Sequence, residues 1–271
     1  MKFYGERYMT ISTIADGLKT KKFGKKVFVF DTIDSTNTCA RLLAECGTEE
    51  GTVVYAEEQT SGRGRLKRKW ISAKSENLLF SIIFAPKIKE RRYYLIPLLV
   101  SVCIVNSIKK DIPDCPVIVK WPNDILLSGG KKIGGILTEL THTYDNDLRI
   151  VVGAGINVNQ STFPSELNTT ASSLYIATGK ELNRITLLHS ILYEIELVYN
   201  SVEADPDSIV ERWKSHCTMF GKPVQVIEGK KVKTGICKDI DREGALLIED
   251  KKGTINRIIA GDVTSVAINT T

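Results

Sequence analysis

Residues 78–84 read LLFSIIF, and no other stretch restricts the fold as much. Apolar side chains point to both faces of any strand it forms, so both faces must be covered. Seven residues are too few for a core helix and far short of a membrane span, which needs about 20. The segment therefore predicts a strand deep in a sheet. Other short β-rich runs surround it: Val27 to Phe30, Thr52 to Glu57, Val117 to Trp121 and Arg149 to Val158. Pro122 interrupts the strand Val117 to Trp121, which is expected to resume at Ile125 to Leu127. Gly129 and Gly130 then make a hairpin turn, with Lys132 to Leu140 as the returning strand.

Helical spacing appears between the strands. Asp34, Ser35, Thr36 and Asn37 all favour helix caps and precede Ala40, Leu43 and Ala44, until Gly47 stops the turn. Apolar periodicity predicts further helices over 91–110, with Pro97 near its start, over 185–202, and from Asp207 to about Met219 after Pro206. Ile11, Ile14 and Leu18 suggest one short helix ahead of a linker that ends near residue 26. After Gly221 the pattern changes to five short strands near 224–227, 232–237, 245–249, 255–259 and 263–268, separated by glycine-bearing turns. That texture argues for a small β-barrel. The expectation is an α+β protein, with a mixed-sheet domain at 1–218 and a barrel at 219–271.

Net charge is only +5, with the excess shared between the two parts, so neither is a basic nucleic-acid-binding module. Six cysteines show no C-x-x-C spacing and accompany three scattered histidines, which excludes a zinc pattern and fits reduced thiols in a cytoplasmic protein. No apolar run reaches membrane-spanning length, and residues 1–13 lack the apolar region of a signal peptide.

Chemistry concentrates in a few stretches. Gln59 to Trp70 reads QTSGRGRLKRKW, and no acidic residue lies between Glu58 and Glu76. Gly62 and Gly64 alternate with Arg63 and Arg65, a pattern that can bring backbone N–H groups and guanidinium forks onto an anion. A solvated basic loop is the other reading, and both stand at this point. Ser35 and Thr36 can be helix caps or ligand contacts. Asn123 and Asp124 follow a strand, Lys132 precedes the pair Gly134 and Gly135, and Asn157 follows a strand carrying Gly153 and Gly155. Glycines inside strands suggest that something approaches the backbone closely. Such groups suit a nucleotide: Asp124 could hold Mg²⁺, the cations could hold phosphates and a carboxylate, and Trp70 could stack on a base. Neither a P-loop nor a Rossmann fingerprint occurs.

Five ordered segments, DSTN (34–37), GRGRLKRKW (62–70), KWPNDI (120–125), KIGGILTE (132–139) and GAGINVN (153–159), resemble the biotin protein ligases. The resemblance implies a class II synthetase-like, biotin/lipoate ligase fold with an SH3-like C-terminal domain. It also implies a two-step reaction with the substrates biotin and ATP, assisted by Mg²⁺, through biotinoyl-5′-AMP to a lysine of a biotin carboxyl carrier protein. Carried over by position, Ser35, Thr36, Asn37, Gln59, Gly62, Arg63, Gly64, Arg65, Lys132, Gly134 and Gly135 correspond to biotin contacts. Arg63, Arg65, Arg68, Trp70, Asn123, Asp124, Lys132 and Asn157 correspond to ATP contacts, Asp124 to the metal ligand, and Lys132 with Arg65 to the catalytic groups. Lys67 stands where many relatives have glycine. About 26 residues occupy the place of the winged helix-turn-helix of bifunctional relatives, which argues against direct DNA binding. Relatives often pair through the sheet, so a homodimer is compatible with the pattern. A lipoate-type ligase on the same scaffold and a non-catalytic biotin-binding regulator are the alternatives.

Overall fold

The computed structural model describes residues 14, 16–88 and 92–265. Seven strands form the larger sheet: β1 (Val27–Phe30), β2 (Val53–Ala56), β3 (Leu78–Phe84), β4 (Val117–Lys120), β5 (Asp124–Leu127), β6 (Lys132–His142) and β7 (Leu148–Ile156). Their order is β1-β2-β3-β7-β6-β5-β4, parallel between β1 and β2 and antiparallel elsewhere. Every residue of β3 is buried, as its two apolar faces require.

The helices are α1 (Thr36–Glu45), α2 (Leu95–Asp111), α3 (Leu174–Thr178), α4 (Arg184–Val198), α5 (Ser201–Ala204) and α6 (Pro206–Ser215). On one face of the sheet α2, α4 and α6 pack together over Val53, Tyr55, Phe80, Ile82 and Val152. On the other, α1 covers Val54, Ile83 and Val151 through Cys39, Ala40 and Ala44. The two-residue period of a strand then fixes what else faces the α1 side: Ser81 on β3 and Gly153 and Gly155 on β7. Those positions carry small or absent side chains, so beyond the start of α1 the sheet leaves room for other groups to pack directly on its backbone. This open floor positions the site.

Five further strands follow, β8 (Pro223–Glu228), β9 (Lys231–Ile240), β10 (Leu246–Glu249), β11 (Ile255–Ile258) and β12 (Asp262–Ser265). They pair antiparallel in the order β11-β10-β9-β8-β12. All five expected strands are present, arranged as a sheet with β11 and β12 at its edges. The Trp121 indole N–H, in the turn after β4, donates to the Gly244 carbonyl oxygen at 2.9 Å, and Lys214 on α6 pairs with Asp239 at 2.9 Å, tying this sheet to the β4–β5 turn and to α6.

Several boundaries differ from expectation. β5 does not resume β4; the two are antiparallel partners, with Lys120 opposite Asp124, and Trp121, Pro122 and Asn123 form the turn between them. Proline interrupts a strand equally well at a break and at a hairpin corner, so spacing alone could not separate the two. The helix expected over 185–202 ends at Val198 and restarts at Ser201, α6 stops at Ser215, and α3 was not foreseen because it spans only five residues. Much of the expected N-terminal helix, including Ile11, lies outside the described residues. No helix among the described residues is long and apolar enough to cross a membrane. All six cysteines are free; Cys39, Cys103, Cys115 and Cys237 are buried and Cys46 is exposed.

Candidate active site

The glycine loop closes a small hairpin over the open floor. Trp70 N–H donates to Gly62 O at 2.9 Å and Gly64 N–H to Arg68 O at 2.7 Å. At its tip Leu66 and Lys67 both take left-handed backbone, φ 53° and 61°. The Trp70 indole lies flat against β7: a Cβ on Gly155 would fall 2.6 Å from Trp70 Cε2. Gly155 is therefore required by the indole.

Ser35 occupies the cap position of α1 in extended backbone but makes no capping bond. The loop supplies one instead, since Gln59 Oε1 accepts from Thr36 N–H at 2.7 Å and from Thr36 Oγ1 at 3.1 Å. Asn37 turns its amide across the sheet into the space left by Gly153, where a Cβ would fall 2.0 Å from Asn37 Oδ1.

Lys132 owes its direction to a bulge. Ile125 pairs with Gly134 but Leu126 pairs with Lys132, so Ile133 is an extra residue on β6 and Lys132 turns to the Gly135 side. Its ammonium donates to Asp124 Oδ1 at 2.5 Å and lies 6.0 Å from the Trp70 ring centroid.

These groups line one cleft of about 410 Å³. It brings together Ser35, Thr36, Asn37, Gln59, Arg63, Gly64, Arg65, Arg68, Trp70, Asn123, Asp124, Lys132, Gly135 and Asn157. Gly62 and Gly134 do not line it. A Cβ on Gly62 would fall 2.7 Å from Trp70 O, and one on Gly134 would fall 3.1 Å from Gly155 O, so both let neighbouring backbone approach. Six cationic side chains, Arg63, Arg65, Arg68, Lys69, Lys120 and Lys132, face two carboxylates, Asp124 and Asp262, along the lining. The excess favours an anionic occupant.

Two polar atoms of the lining residues are buried without a partner, Trp70 Nε1 and Asn157 Oδ1. Leaving such a group unpaired costs about 1–3 kcal/mol, which a ligand offering an acceptor and a donor would recover. The Asn157 Nδ2 is already committed to Ser172 O at 2.9 Å.

Two carboxylates were missed. Glu139 takes Arg63 in a two-pronged pair, Nη1 to Oε1 at 3.1 Å and Nη2 to Oε2 at 2.8 Å. Asp262, on β12, accepts from Arg68 and lies 3.5 Å from Arg65, which also donates to Asn123 Oδ1 at 3.2 Å and to Gly261 O at 3.2 Å. The basic loop thus has partners, but they come from 76 and nearly 200 residues away along the chain. Glu139 shares the cleft face of β6 with Gly135 and was legible in that alternation; nothing in the sequence pointed to Asp262.

Residues 29–157 match the family model described as "Biotin/lipoate A/B protein ligase family", and residues 219–264 match "Biotin protein ligase C terminal domain". The chain is 34% identical over 255 residues to the bifunctional ligase/repressor BirA of Bacillus subtilis, covering 93% of this chain and 78% of that one. It belongs to the biotin protein ligase family. Other family members agree. The biotin--[acetyl-CoA-carboxylase] ligase of Mycobacterium tuberculosis is 29% identical over 84% of this chain and 85% of its own length. The solved biotin protein ligase from Aquifex aeolicus in complex with biotin and ATP superposes with a TM-score of 0.77 at 31% identity, covering 89% of this chain and all of that one.

Within the family frame the cleft divides by chemistry. Ser35, Thr36, Asn37 and Gln59 offer neutral hydrogen-bonding groups at the α1 end. Arg65, Arg68 and Asp124 offer charge toward the β12 end, where Asn123 accepts from Arg65 and Lys132 pairs with Asp124. For Mg²⁺ the donor set is spare: among the described residues no cluster of three or more metal-binding side chains exists. A single carboxylate suffices when the ion arrives on a triphosphate, because Mg²⁺ keeps waters and phosphate oxygens as its other ligands. Asp124, on the cleft lining, fits that mode.

Proposed function

We propose that this protein is an ATP-dependent biotin protein ligase, and that its cleft performs both half-reactions. The observation that carries the reading is the placement of Lys132. Its ammonium stands in the same cleft as Arg65 and Arg68, where a carboxylate and a phosphate must meet. In the first step a biotin carboxylate oxygen bonds to the α-phosphorus of ATP and the bond to pyrophosphate breaks, giving biotinoyl-5′-AMP. Both partners are anions, so the barrier is largely repulsion, and cations fixed beforehand lower it without a general base. Lys132 screens the attacking carboxylate from the α-phosphate. Arg65 and Arg68 hold the phosphate side. The alternating guanidinium groups and the glycines between them let the loop close on the product. Mg²⁺, held by Asp124 when bound with ATP, would neutralise charge on the leaving pyrophosphate.

In the second step the neutral amine of a carrier-domain lysine attacks the acyl carbon and AMP leaves. The carrier is a biotin carboxyl carrier protein or domain. The neutral groups Ser35, Thr36, Asn37 and Gln59 hold the bicyclic head of biotin, Gly64 and Gly135 leave room on the lining, and Trp70 with Asn157 receives the nucleotide. We take residues 1–218 as the catalytic unit and 219–271 as the C-terminal unit, which contributes Asp262 to the cleft. Six free cysteines, four of them buried, support a cytoplasmic location. A biotin-dependent exchange of labelled pyrophosphate into ATP tests the first step directly. Exchange is expected with biotin and Mg²⁺; its absence from protein that binds both substrates would leave only the non-catalytic binder.

A further inference from the structure

Glu139 has no role in the scheme above, yet it joins the two halves of the biotin end. On one side it forks onto Arg63 with both carboxylate oxygens, and on the other its Oε2 accepts from Asn37 Nδ2 at 2.9 Å. Asn37 Oδ1 lies 2.7 Å from Ser81 Oγ, which lies 2.8 Å from Thr36 Oγ1, and Thr36 donates to Gln59. The single Ser81 hydroxyl hydrogen serves Asn37 or Thr36 at any moment. Gln59 and Arg63 are four residues apart on the stem of the glycine loop. Because Thr36 N–H also donates to Gln59 Oε1 at 2.7 Å, the Thr36 hydroxyl can turn to Ser81 while Ser81 serves Asn37, and the contacts Gln59–Thr36–Ser81–Asn37–Glu139–Arg63 then form a circuit that fastens both ends of that stem to the first turn of α1 and the sheet beneath it.

We infer that Glu139 is a positioning residue for ligation: by orienting Arg63 it sets the position in which the glycine loop covers the acyl-adenylate. The inference rests on the ligase reading. Three observations separate it from a plain surface ion pair. A pair whose side chains are 41% and 25% exposed adds little to stability, whereas two parallel N–H···O bonds fix a guanidinium's orientation. The carboxylate is shared with Asn37, whose amide is itself held by the absence of a side chain at Gly153. And Arg63 lines the cleft, so its direction is felt by whatever is bound.

The test uses the full chain with Glu139→Gln, which keeps size and an acceptor for Asn37 but loses the charge, alongside Arg63→Ala and the double variant. Three quantities are read: the KM for biotin and kcat in pyrophosphate release, the fraction of biotinoyl-AMP found free in solution at steady state, and the thermal midpoint. Expected for Glu139→Gln are a rise of about tenfold in KM for biotin with kcat little changed, more free intermediate, and an unchanged midpoint. Arg63→Ala should match it, and the double variant should add nothing. A lowered midpoint with normal retention of the intermediate would make Glu139 a structural brace and overturn the proposal. Wild-type kinetics in Glu139→Gln would overturn it as well. If the wild-type protein itself makes no biotinoyl-AMP, the ligase reading fails first and the positioning role falls with it.

Discussion

Replacing Gly155 by alanine tests the architecture of the cleft at one atom. The added Cβ would lie 2.6 Å from Trp70 Cε2 and 2.8 Å from Cζ2 and Nε1, so the indole must withdraw by about 0.8 Å to reach ordinary contact at 3.4 Å. Overpacking in a core costs about 1–3 kcal/mol. Trp70 is half-buried and carried by a loop, so it can give way, and the stability loss belongs at the low end, near 1 kcal/mol or roughly 2–4 °C in Tm. Binding suffers more. An aromatic platform under a base contributes about 1–3 kcal/mol, so ATP affinity should fall about 5- to 150-fold. The protein has three tryptophans, and Trp121 and Trp213 are buried, so a change in fluorescence on adding ATP reports mainly on Trp70. Titration of wild type, Gly155→Ala and Gly129→Ala separates the outcomes, because a Cβ on Gly129 meets nothing within 4 Å. Gly129→Ala should behave as wild type. If Gly155→Ala binds ATP as tightly as the parent with an unshifted tryptophan signal, Trp70 is not the wall of the nucleotide site and the reasoning fails.

Other substitutions probe the remaining parts. Lys132→Ala should slow adenylate formation by about 10²–10³-fold, because two anions then face each other unscreened, while the thermal midpoint stays near wild type since the Lys132 side chain is 37% exposed; a near-normal rate of biotinoyl-AMP formation would refute its assignment. Arg65→Ala, which breaks the contacts to Asn123 and β12, should release biotinoyl-AMP into solution, measured by rapid filtration; unchanged retention would count against loop closure. Lys67→Gly removes a side chain from a left-handed position that costs an ordinary residue about 1 kcal/mol, so it should raise the denaturation midpoint slightly, and a lower midpoint would show that Lys67 holds the loop by a contact of its own. Glu196 accepts N–H bonds from Lys21, Lys22 and Phe23 at 2.5, 2.7 and 3.0 Å. Burial pushes its pKa up, but those three bonds outweigh it and hold the carboxyl below its ordinary 4.5. A carboxyl with a lower pKa in the folded state contributes stability above pH 4.5 that is lost as pH falls through the folded value. Glu196→Gln should therefore lower Tm at pH 7, with the difference shrinking in acid, and a pH-independent difference would contradict this.

Much of the fold was legible because strands here are short apolar runs bounded by glycine and proline, and β3 in particular could be nothing but a buried strand. The site motifs were equally legible, and fourteen of the residues singled out share one cleft. What sequence could not supply was direction. By simple alternation Lys132 would share the face of Gly134; only the bulge at Ile133 turns it to the cleft. Ser35 looked like a helix cap, but Gln59, more than twenty residues on, satisfies the Thr36 N–H. Gly153 and Gly155 announced a close approach without naming Asn37 and Trp70 as what approaches. Asp262 is a single acid on an edge strand, and only three-dimensional packing of the C-terminal sheet brings it to Arg65 and Arg68.

The most direct measurement is mass spectrometry of the purified protein incubated with ATP, Mg²⁺ and equal amounts of biotin and lipoate, read for the acyl-AMP formed. Biotinoyl-AMP in clear excess is the predicted result, and adding a carrier domain should convert it to a biotin-sized mass increase on one lysine. Lipoyl-AMP as the main product, or no adenylate from protein that binds biotin and ATP, would contradict the assignment of this cleft to biotin ligation.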